Sequence, residues 1–388
     1  MRIIHIQDYF HPQLGYQEAF LPREQAKLGH DVYVVTSDRY KPLVYNGSSR
    51  LLGGRRIVGK GFFTEEGIKV WRLKTLFEIP YGIWVRGLEK KIQELKPDIV
   101  ITHGIVNFLA LRIAWLKRKH DNFKLIYDDH GTFDNSSSRL RILYSLFKWT
   151  FSKLIQGTAD AFVGVGYPSK VFMNRRYGIP LERITIIPLG ADDELFRFDA
   201  AARQEVRTEL SISENDIVFI CTGKIVPERR LHLVIEAVKL MEAYNHLKVL
   251  LVGSGSQTYI GQMKQDIRTK GLEDRFILHN MVPNKELYKY YSAADAAIWP
   301  CKASISMLEA MACSLPIIAD DSPNMNEMTY VDNQLIYQGH NPSNLAQQME
   351  KLLDPGFRKE MGRNGRKLIE EKLNWRIIAK QFIELCSQ

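Results

Sequence analysis

Cysteine is scarce in this chain of 388 residues, and its spacing excludes the usual uses. Cys221, Cys301, Cys313 and Cys386 form no C-x-x-C pair, which argues against a disulfide framework or a structural zinc. No apolar run reaches the roughly 18 residues of a membrane span. Met1–Ile6 reads as a first strand and lacks the apolar core and cleavage site of a signal peptide. Asp128 and Asp129 are adjacent, which is not a D-x-D metal motif, and no other His/carboxylate ligand set stands out. There is no short-period repeat. These absences lead us to expect a cytoplasmic protein with no bound metal and no cofactor.

What is present is ordinary in kind and uneven in placement. Hydrophobic residues make up 45% and charged residues 25%, as in soluble globular proteins. The length favours two domains. The net charge of +9 lies entirely in residues 1–200, which hold 30 Lys+Arg and 21 Asp+Glu, while the remainder balances. A basic half points to an anionic partner such as membrane lipid, a phosphorylated acceptor or nucleic acid, or else to a solvated face with no specific role. No aromatic-interleaved basic platform or reader motif supports nucleic acid.

Short β-rich runs alternate with helical stretches. The expected strands are Ile3–Ile6, Val32–Thr36, Ile99–Thr102, Lys124–Tyr127, Ala161–Val165 and Ile184–Ile187, then Ile217–Cys221, Lys248–Val252, Phe276–Leu278, Ala296–Trp299 and Pro316–Ala319. Such alternation predicts an α/β fold with two parallel, doubly wound sheets. The hinge is expected in Pro188–Phe196, before a helix from about Ala200. The glycine-rich, basic stretch Asn46–Gly61 reads as a mobile loop.

Two segments carry most of the chemistry. In Thr222–Arg230 a strand ends at Cys221 and a helix is expected to start near Arg229. Gly223 permits close backbone approach, and Lys224 and Arg229 flank the strand edge where doubly wound folds bind ligands, as two cations suited to a diphosphate. Loop-capping surface residues are the alternative. In Ser304–Ala319, Glu309 can accept bonds from two vicinal ribose hydroxyls, or serve the helix dipole. His130 follows the strand at 124–127 beside the turn at Gly131 and faces the presumed cleft, although a lone histidine is often structural. Gly15, between the first strand and a helix from about Gln17, can offer backbone N–H groups to an anion. Leu140, Leu143, Phe147, Phe151 and Leu154 share one face of a helical stretch decorated by Arg139, Arg141, Lys148 and Lys153. That face either packs on the sheet or lies on an anionic membrane, and packing is favoured.

Taken in order, these segments resemble the retaining glycosyltransferases of family 4, which have the GT-B fold of two Rossmann-like domains. Gly29-His-Asp-Val32 matches the family's GHxV, Ile187-Pro-Leu-Gly-Ala-Asp192 its IPNGVD, and Leu308-Glu-Ala-Met-Ala-Cys-Ser-Leu-Pro316 its LEAMACGxP. The resemblance runs nearly end to end. It implies an acceptor-binding domain over 1–190, a nucleotide-sugar-binding domain over 191–370, and a helix over 371–388 that crosses back to the first domain.

The resemblance also assigns roles. Lys224 and Arg229 take the donor diphosphate, with the family's two basic types exchanged, and Arg230 stands where a glycine is usual. Glu309 takes the ribose, His130 lies near the donor sugar, and Gly15 lies near the diphosphate. Gly223, Met281, Val282, Ser304 and Ser306 complete the nucleotide-sugar-binding set, and His130, Lys224 and Arg229 the catalytic one. Cys301 replaces the first carboxylate of the family's E-x7-E. The implied activity is metal-independent transfer of a hexosyl unit, with retention, from a UDP- or GDP-sugar to a glycan or lipid-linked glycan, with peripheral contact at the inner membrane face. The loss of the carboxylate at 301 keeps open a non-catalytic nucleotide-sugar-binding subunit that supports a partner enzyme.

Overall fold

The computed structural model describes residues 1–42, 44, 45, 52–79, 82–133, 141–301, 304–322 and 334–386. The chain forms two compact units, Met1–Leu189 with Trp375–Gln388, and Gly190–Asn374.

The first unit contains β1 (Arg2–Ile6), β2 (Asp31–Ser37), β3 (Gly61–Glu65), β4 (Ile68–Leu73), β5 (Thr75–Ile79), β6 (Gly82–Val85), β7 (Ile99–His103), β8 (Lys124–Asp129), β9 (Ala161–Gly164) and β10 (Ile184–Ile186). Its main sheet runs β10-β9-β8-β7-β1-β2-β4-β3, and β5 pairs with β6 separately. Every pair in the main sheet is parallel except β3 with β4. Val100, Ile101, Leu125, Ile126, Phe162 and Val163 are all buried. Neighbouring residues of a strand point to opposite faces, so burial of both faces explains the continuous apolar runs.

The second unit holds β11 (Ile217–Ile225), β12 (Leu247–Gly255), β13 (Phe276–Asn280), β14 (Ala296–Trp299), β15 (Ile317–Asp320) and β16 (Gln334–Tyr337). They form one parallel sheet in the order β13-β12-β11-β14-β15-β16. This is the doubly wound Rossmann arrangement, whose winding reverses between β11 and β14. The first unit reverses likewise between β1 and β7. At such a switch point the connections on the two sides leave in opposite directions, which opens a crevice at the strands' C-terminal ends.

Within the first unit, helix Trp375–Glu384 packs on helix Gln17–Lys27. The Phe20 and Trp375 rings stack at 5.5 Å between centroids.

Three local expectations are corrected. The strand expected to end at Cys221 runs on to Ile225, and the helix expected near Arg229 begins at His232, after a 3-10 turn over Pro227–Arg229 and a left-handed Arg230 at φ 52°. The Asn46–Gly61 stretch is anchored where it is described, because Tyr40 N–H donates to Arg56 O, Val58 N–H donates to Asp38 O, and the Arg56 guanidinium pairs with Glu78. Residues 46–51 lie outside the described residues.

In the basic amphipathic segment the favoured packing holds for Phe147, Phe151 and Leu154, but Leu143 is exposed and the segment divides into helices Arg141–Thr150 and Ser152–Thr158. Phe147 is buried and Phe151 and Leu154 pack against the core. A second apolar face, Ile142, Leu146 and Trp149, is 82%, 54% and 84% exposed. These positions are spaced i, i+4 and i+7, so they share one side of the helix. Arg139 and Leu140 lie outside the described residues.

Candidate functional site

The second unit gathers one set of predicted residues around the C-terminal ends of β11 and β14. β11 and β12 stay paired to their tips, with Gly223 opposite Gly253 and Ile225 opposite Gly255. A Cβ on Gly253 would fall 1.8 Å from Gly223 O, and one on Gly255 1.9 Å from Ile225 O. No side chain fits there, and the two glycines let β12 hold the end of β11 straight. Gly223 itself has φ 117°, a conformation that favours glycine.

Lys224 is exposed at this tip. Arg229 is half-buried and leans over the strand end, its Nη2 lying 3.9 Å from where a Cβ of Gly223 would be. Burial lowers the pKa of its guanidinium, against the opposing influence of Cys301 and Cys221, yet arginine stays charged. Arg230 pays for its left-handed backbone with about 1 kcal/mol. That conformation is the physical reason a glycine suits the position. Beneath these residues a narrow recess of about 20 Å³ is lined by Cys221, Ile298, Trp299 and Pro300, room for little more than one water.

A hydrogen-bonded chain joins this tip to the loop after β14. Thr222 Oγ1 and Tyr291 OH lie 2.9 Å apart, and Tyr291 OH donates to Ser306 O at 3.2 Å. Ser304 opens helix Ile305–Ala312 without capping it through its side chain, and its Oγ lies 2.6 Å from Ser306 Oγ. Glu309 is fully buried, one turn into that helix, and its Oε1 accepts from Asn284 Nδ2 at 2.8 Å. Burial pushes the Glu309 carboxyl up to about 8, with Asn284 opposing and Asp192 adding to the rise. A carboxyl group kept this dry is protonated at neutral pH and can both donate and accept, and vicinal hydroxyls are the matching chemistry. Met281 and Val282 precede Asn284 just past β13, and Met281 Sδ lies 3.7 Å from Ser254 Oγ.

In the first unit the predicted residues lie at the ends of β1 and β8. Gly15 has φ 69° and ends the 3-10 turn Pro12–Leu14. Two residues later, buried Gln17 donates from Nε2 to Asp128 Oδ2 at 3.0 Å. The same oxygen meets His103 Nδ1 at 2.9 Å and His130 Nε2 at 3.2 Å. Behind His103 lies His5, Nε2 to Nδ1 at 3.0 Å. Burial opposes charge on both partners, but the His130 pairing outweighs it. Asp128 is held well below the usual carboxylate range and His130 is raised to about 9. Burial, then His103, lowers His5 to about 3, so it is neutral.

Sequence reasoning singled out His130 and passed over the carboxylates that raise it, Asp128 first and then Glu18. It also missed a cavity of about 360 Å³ at the ends of β1, β2 and β7, whose lining includes Asp8, His11, Tyr16, Glu18, Lys41 and Asn107. Burial pushes the Asp8 carboxyl up to about 7, and its Oδ1 is buried without a hydrogen-bond partner. The available signal was polar Gln7 and Asp8 directly after an apolar strand, at the edge where such sheets bind ligands.

Comparisons with known proteins agree with this architecture. The "Glycosyltransferase Family 4" model matches residues 21–195, and the "Glycosyl transferases group 1" model matches residues 202–368. The D-inositol 3-phosphate glycosyltransferase of Xylanimonas cellulosilytica is 24% identical over 75% of this chain and 72% of its own. A GDP-mannose-dependent alpha-(1-6)-phosphatidylinositol monomannoside mannosyltransferase of Mycobacterium tuberculosis is 24% identical over 53% of this chain, and the match spans only 56% of its own length. The structure of Anabaena Alr3699/HepE in complex with UDP superposes with a TM-score of 0.77 at 17% identity, covering all of both chains. The chain therefore belongs to the GT-B glycosyltransferases of the family 4 type.

Proposed function

We propose that this glycosyltransferase moves a hexosyl unit, with retention, from a UDP- or GDP-sugar to a glycan or lipid-linked glycan, without a metal ion. The observation that carries the reading is the pairing of Lys224 and Arg229 at the tip of β11, on the switch point of a doubly wound sheet. The leaving diphosphate gains negative charge as the glycosidic bond breaks. Two fixed cations stabilise that charge without reorganisation, and the N-terminus of helix Ile305–Ala312 adds its dipole. Buried Glu309 takes the ribose hydroxyls. The leaving diphosphate accepts the acceptor's proton on the same face.

The first unit holds His130, cationic below pH about 9, as a charged group for a polar ligand of that unit. Its cavity, with Asp8, Glu18 and Asn107 among its lining, suits a hydroxyl-rich acceptor. A lipid-linked acceptor is consistent with the name of the mycobacterial relative. It is also consistent with the exposed Ile142, Leu146 and Trp149 face, which lies on a helix carrying Lys148 and can rest on an anionic surface. Among the described residues no helix is long and apolar enough to cross a membrane.

The test is turnover of a panel of UDP- and GDP-sugars with excess EDTA, and the anomeric configuration of the product by NMR. An axial donor bond that stays axial supports the reading. Inversion, or activity restored only by magnesium or manganese, overturns it. Cys301 in place of the family's carboxylate favours a second reading, a non-catalytic nucleotide-sugar-binding subunit. Nucleotide binding without turnover of any donor would select it.

A further inference from the structure

Three neighbouring strands of the second unit end in side chains of one chemical class. Cys301 stands two residues past β14, Asp320 is the last residue of β15, and His340 stands three past β16. The sheet order places β14, β15 and β16 side by side. One ligand atom from each of the three residues lies within 4.8 Å of the other two. We propose that Cys301, Asp320 and His340 form a binding site for a zinc-class divalent ion.

The spacing of two of the three ligands fits the ion. Zinc bonds of about 2.1 Å to nitrogen and oxygen, at a tetrahedral angle, separate those two ligands by roughly 3.4 Å. Asp320 Oδ2 and His340 Nε2 are 3.4 Å apart. Asp320 is wholly buried, and its Oδ2 meets the His340 ring at ion-pair distance without a well-aligned hydrogen bond. A carboxylate oxygen buried this way needs a cation against it, and either the imidazolium of His340 or a metal ion held with His340 supplies one. Its other oxygen is already taken, since Oδ1 accepts from Ser322 Oγ at 3.0 Å. The hydrogen bond on Oδ1 thus orients Oδ2 toward His340, as metal-ligating carboxylates are commonly oriented.

The backbone around the other two ligands is held in place. Tyr337 OH donates to Pro300 O, tying the end of β16 to the residue before Cys301. His340 sits in the turn between β16 and helix Pro342–Lys351. Gly339 N–H donates to Asp321 Oδ2 at 3.3 Å, Gln338 N–H to Asn344 Oδ1 at 2.8 Å, and Asn341 caps the helix. His340 remains partly exposed, which leaves a path from solvent.

Ligand chemistry selects the ion. Magnesium, calcium and manganese prefer six or more oxygens, whereas thiolate and imidazole together select zinc and its neighbours. Three protein ligands leave a fourth position for water or a substrate oxygen. On binding, the Cys301 thiol releases its proton to solvent and the sulfur binds as thiolate. Cys301 borders the Arg229 guanidinium, but the metal ligands include neither Lys224 nor Arg229, and zinc binding is measured without any transfer reaction.

The test uses the full-length protein stripped with a chelator and then titrated with zinc or cobalt. One equivalent of cobalt is expected to give the near-ultraviolet thiolate charge-transfer band and the intense visible bands of a tetrahedral ion. Cys301→Ser should abolish the charge-transfer band, and His340→Ala and Asp320→Asn should each weaken zinc binding by at least tenfold or so. Cys386→Ser, at the other partly exposed cysteine, should change neither. Each variant's fold is checked by its circular dichroism and unfolding temperature without metal. Absence of stoichiometric zinc binding by the folded wild type, or binding that Cys301→Ser and His340→Ala leave intact while both fold, would overturn the proposal. The trio would then be an Asp–His pair beside a thiol.

Discussion

His130 Nε2 and Asp128 Oδ2 lie 3.2 Å apart, and the same carboxylate oxygen also receives Gln17 and His103. One buried oxygen thus collects three donors, while Asp128 Oδ1 is buried with no hydrogen-bond partner. The arrangement keeps Asp128 ionised and draws positive charge onto His130.

The first prediction follows from this pair. His130 should titrate near pH 9 by NMR, against about 6.5 for an ordinary histidine. The stability it contributes is complete below about pH 6.5 and is lost as pH rises through about 9. The depressed Asp128 carboxyl sets the acid side of the same window, because the shared contribution disappears when that group is protonated. Asp128→Asn should return His130 to its ordinary range or below, since burial would then act unopposed. A His130 pKa that Asp128→Asn leaves unchanged would show that another group raises it.

The second prediction concerns the diphosphate. Charge-assisted hydrogen bonds contribute about 1.5–3 kcal/mol each. Lys224→Ala and Arg229→Ala should each weaken UDP or GDP binding by about tenfold or more. The loss should be smaller for the nucleoside monophosphate, and absent for the free nucleoside. Calorimetry across these ligands separates a phosphate contact from a general loss of fold, and unchanged affinity in both variants would place the phosphates elsewhere.

Glu309 supplies a third prediction. Its folded-state pKa of about 8 exceeds the unfolded value of about 4.3. The folded protein therefore holds an extra proton between these values, and stability falls as pH rises across that range. Glu309→Gln keeps the shape and removes the titration, so its unfolding midpoint should depend less on pH between 5 and 8. It should also weaken nucleotide binding through the ribose. Urea denaturation at both pH values, with nucleotide affinity measured beside it, checks the two effects. An unaltered pH dependence would count against a raised Glu309 pKa.

The fourth prediction concerns Ile142, Leu146 and Trp149. Burial of an exposed apolar side chain is worth about 1.5–3 kcal/mol. Anionic vesicles should bind the protein in a salt-sensitive way and shift Trp149 emission to the blue, whereas neutral vesicles should do so weakly. Trp149→Glu should abolish the partition without changing the unfolding temperature, because Trp149 is 84% exposed in the fold. Equal recovery with both vesicle types at low salt would count against a membrane role.

The residue order by itself determined the fold class and most of the strands. Parallel strands buried on both faces appear as apolar runs of local character, so Ile99–Thr102 or Ala296–Trp299 can be read without knowing a neighbour. The motif resemblance also marked Lys224, Arg229, Glu309 and His130, because each lies at or just past the C-terminal end of a strand or in the helix that follows, where a doubly wound sheet binds ligands. Local patterning had less to say about β3, β5, β6 and β16, which are only four or five residues long.

Only the tertiary structure decided what surrounds those side chains. Asp128 is fixed by Gln17, which is 111 positions away, and by His103, 25 positions away. Cys301, Asp320 and His340 come together because β14, β15 and β16 lie side by side, which linear spacing does not encode. The amphipathic segment was open to two readings because periodicity identifies an apolar face and not its partner. Packing then buried Phe147 and left Ile142 and Trp149 in solvent. Charge state, ligand grouping and exposure all depend on distances between segments remote in sequence, and those distances exist only once the chain has folded.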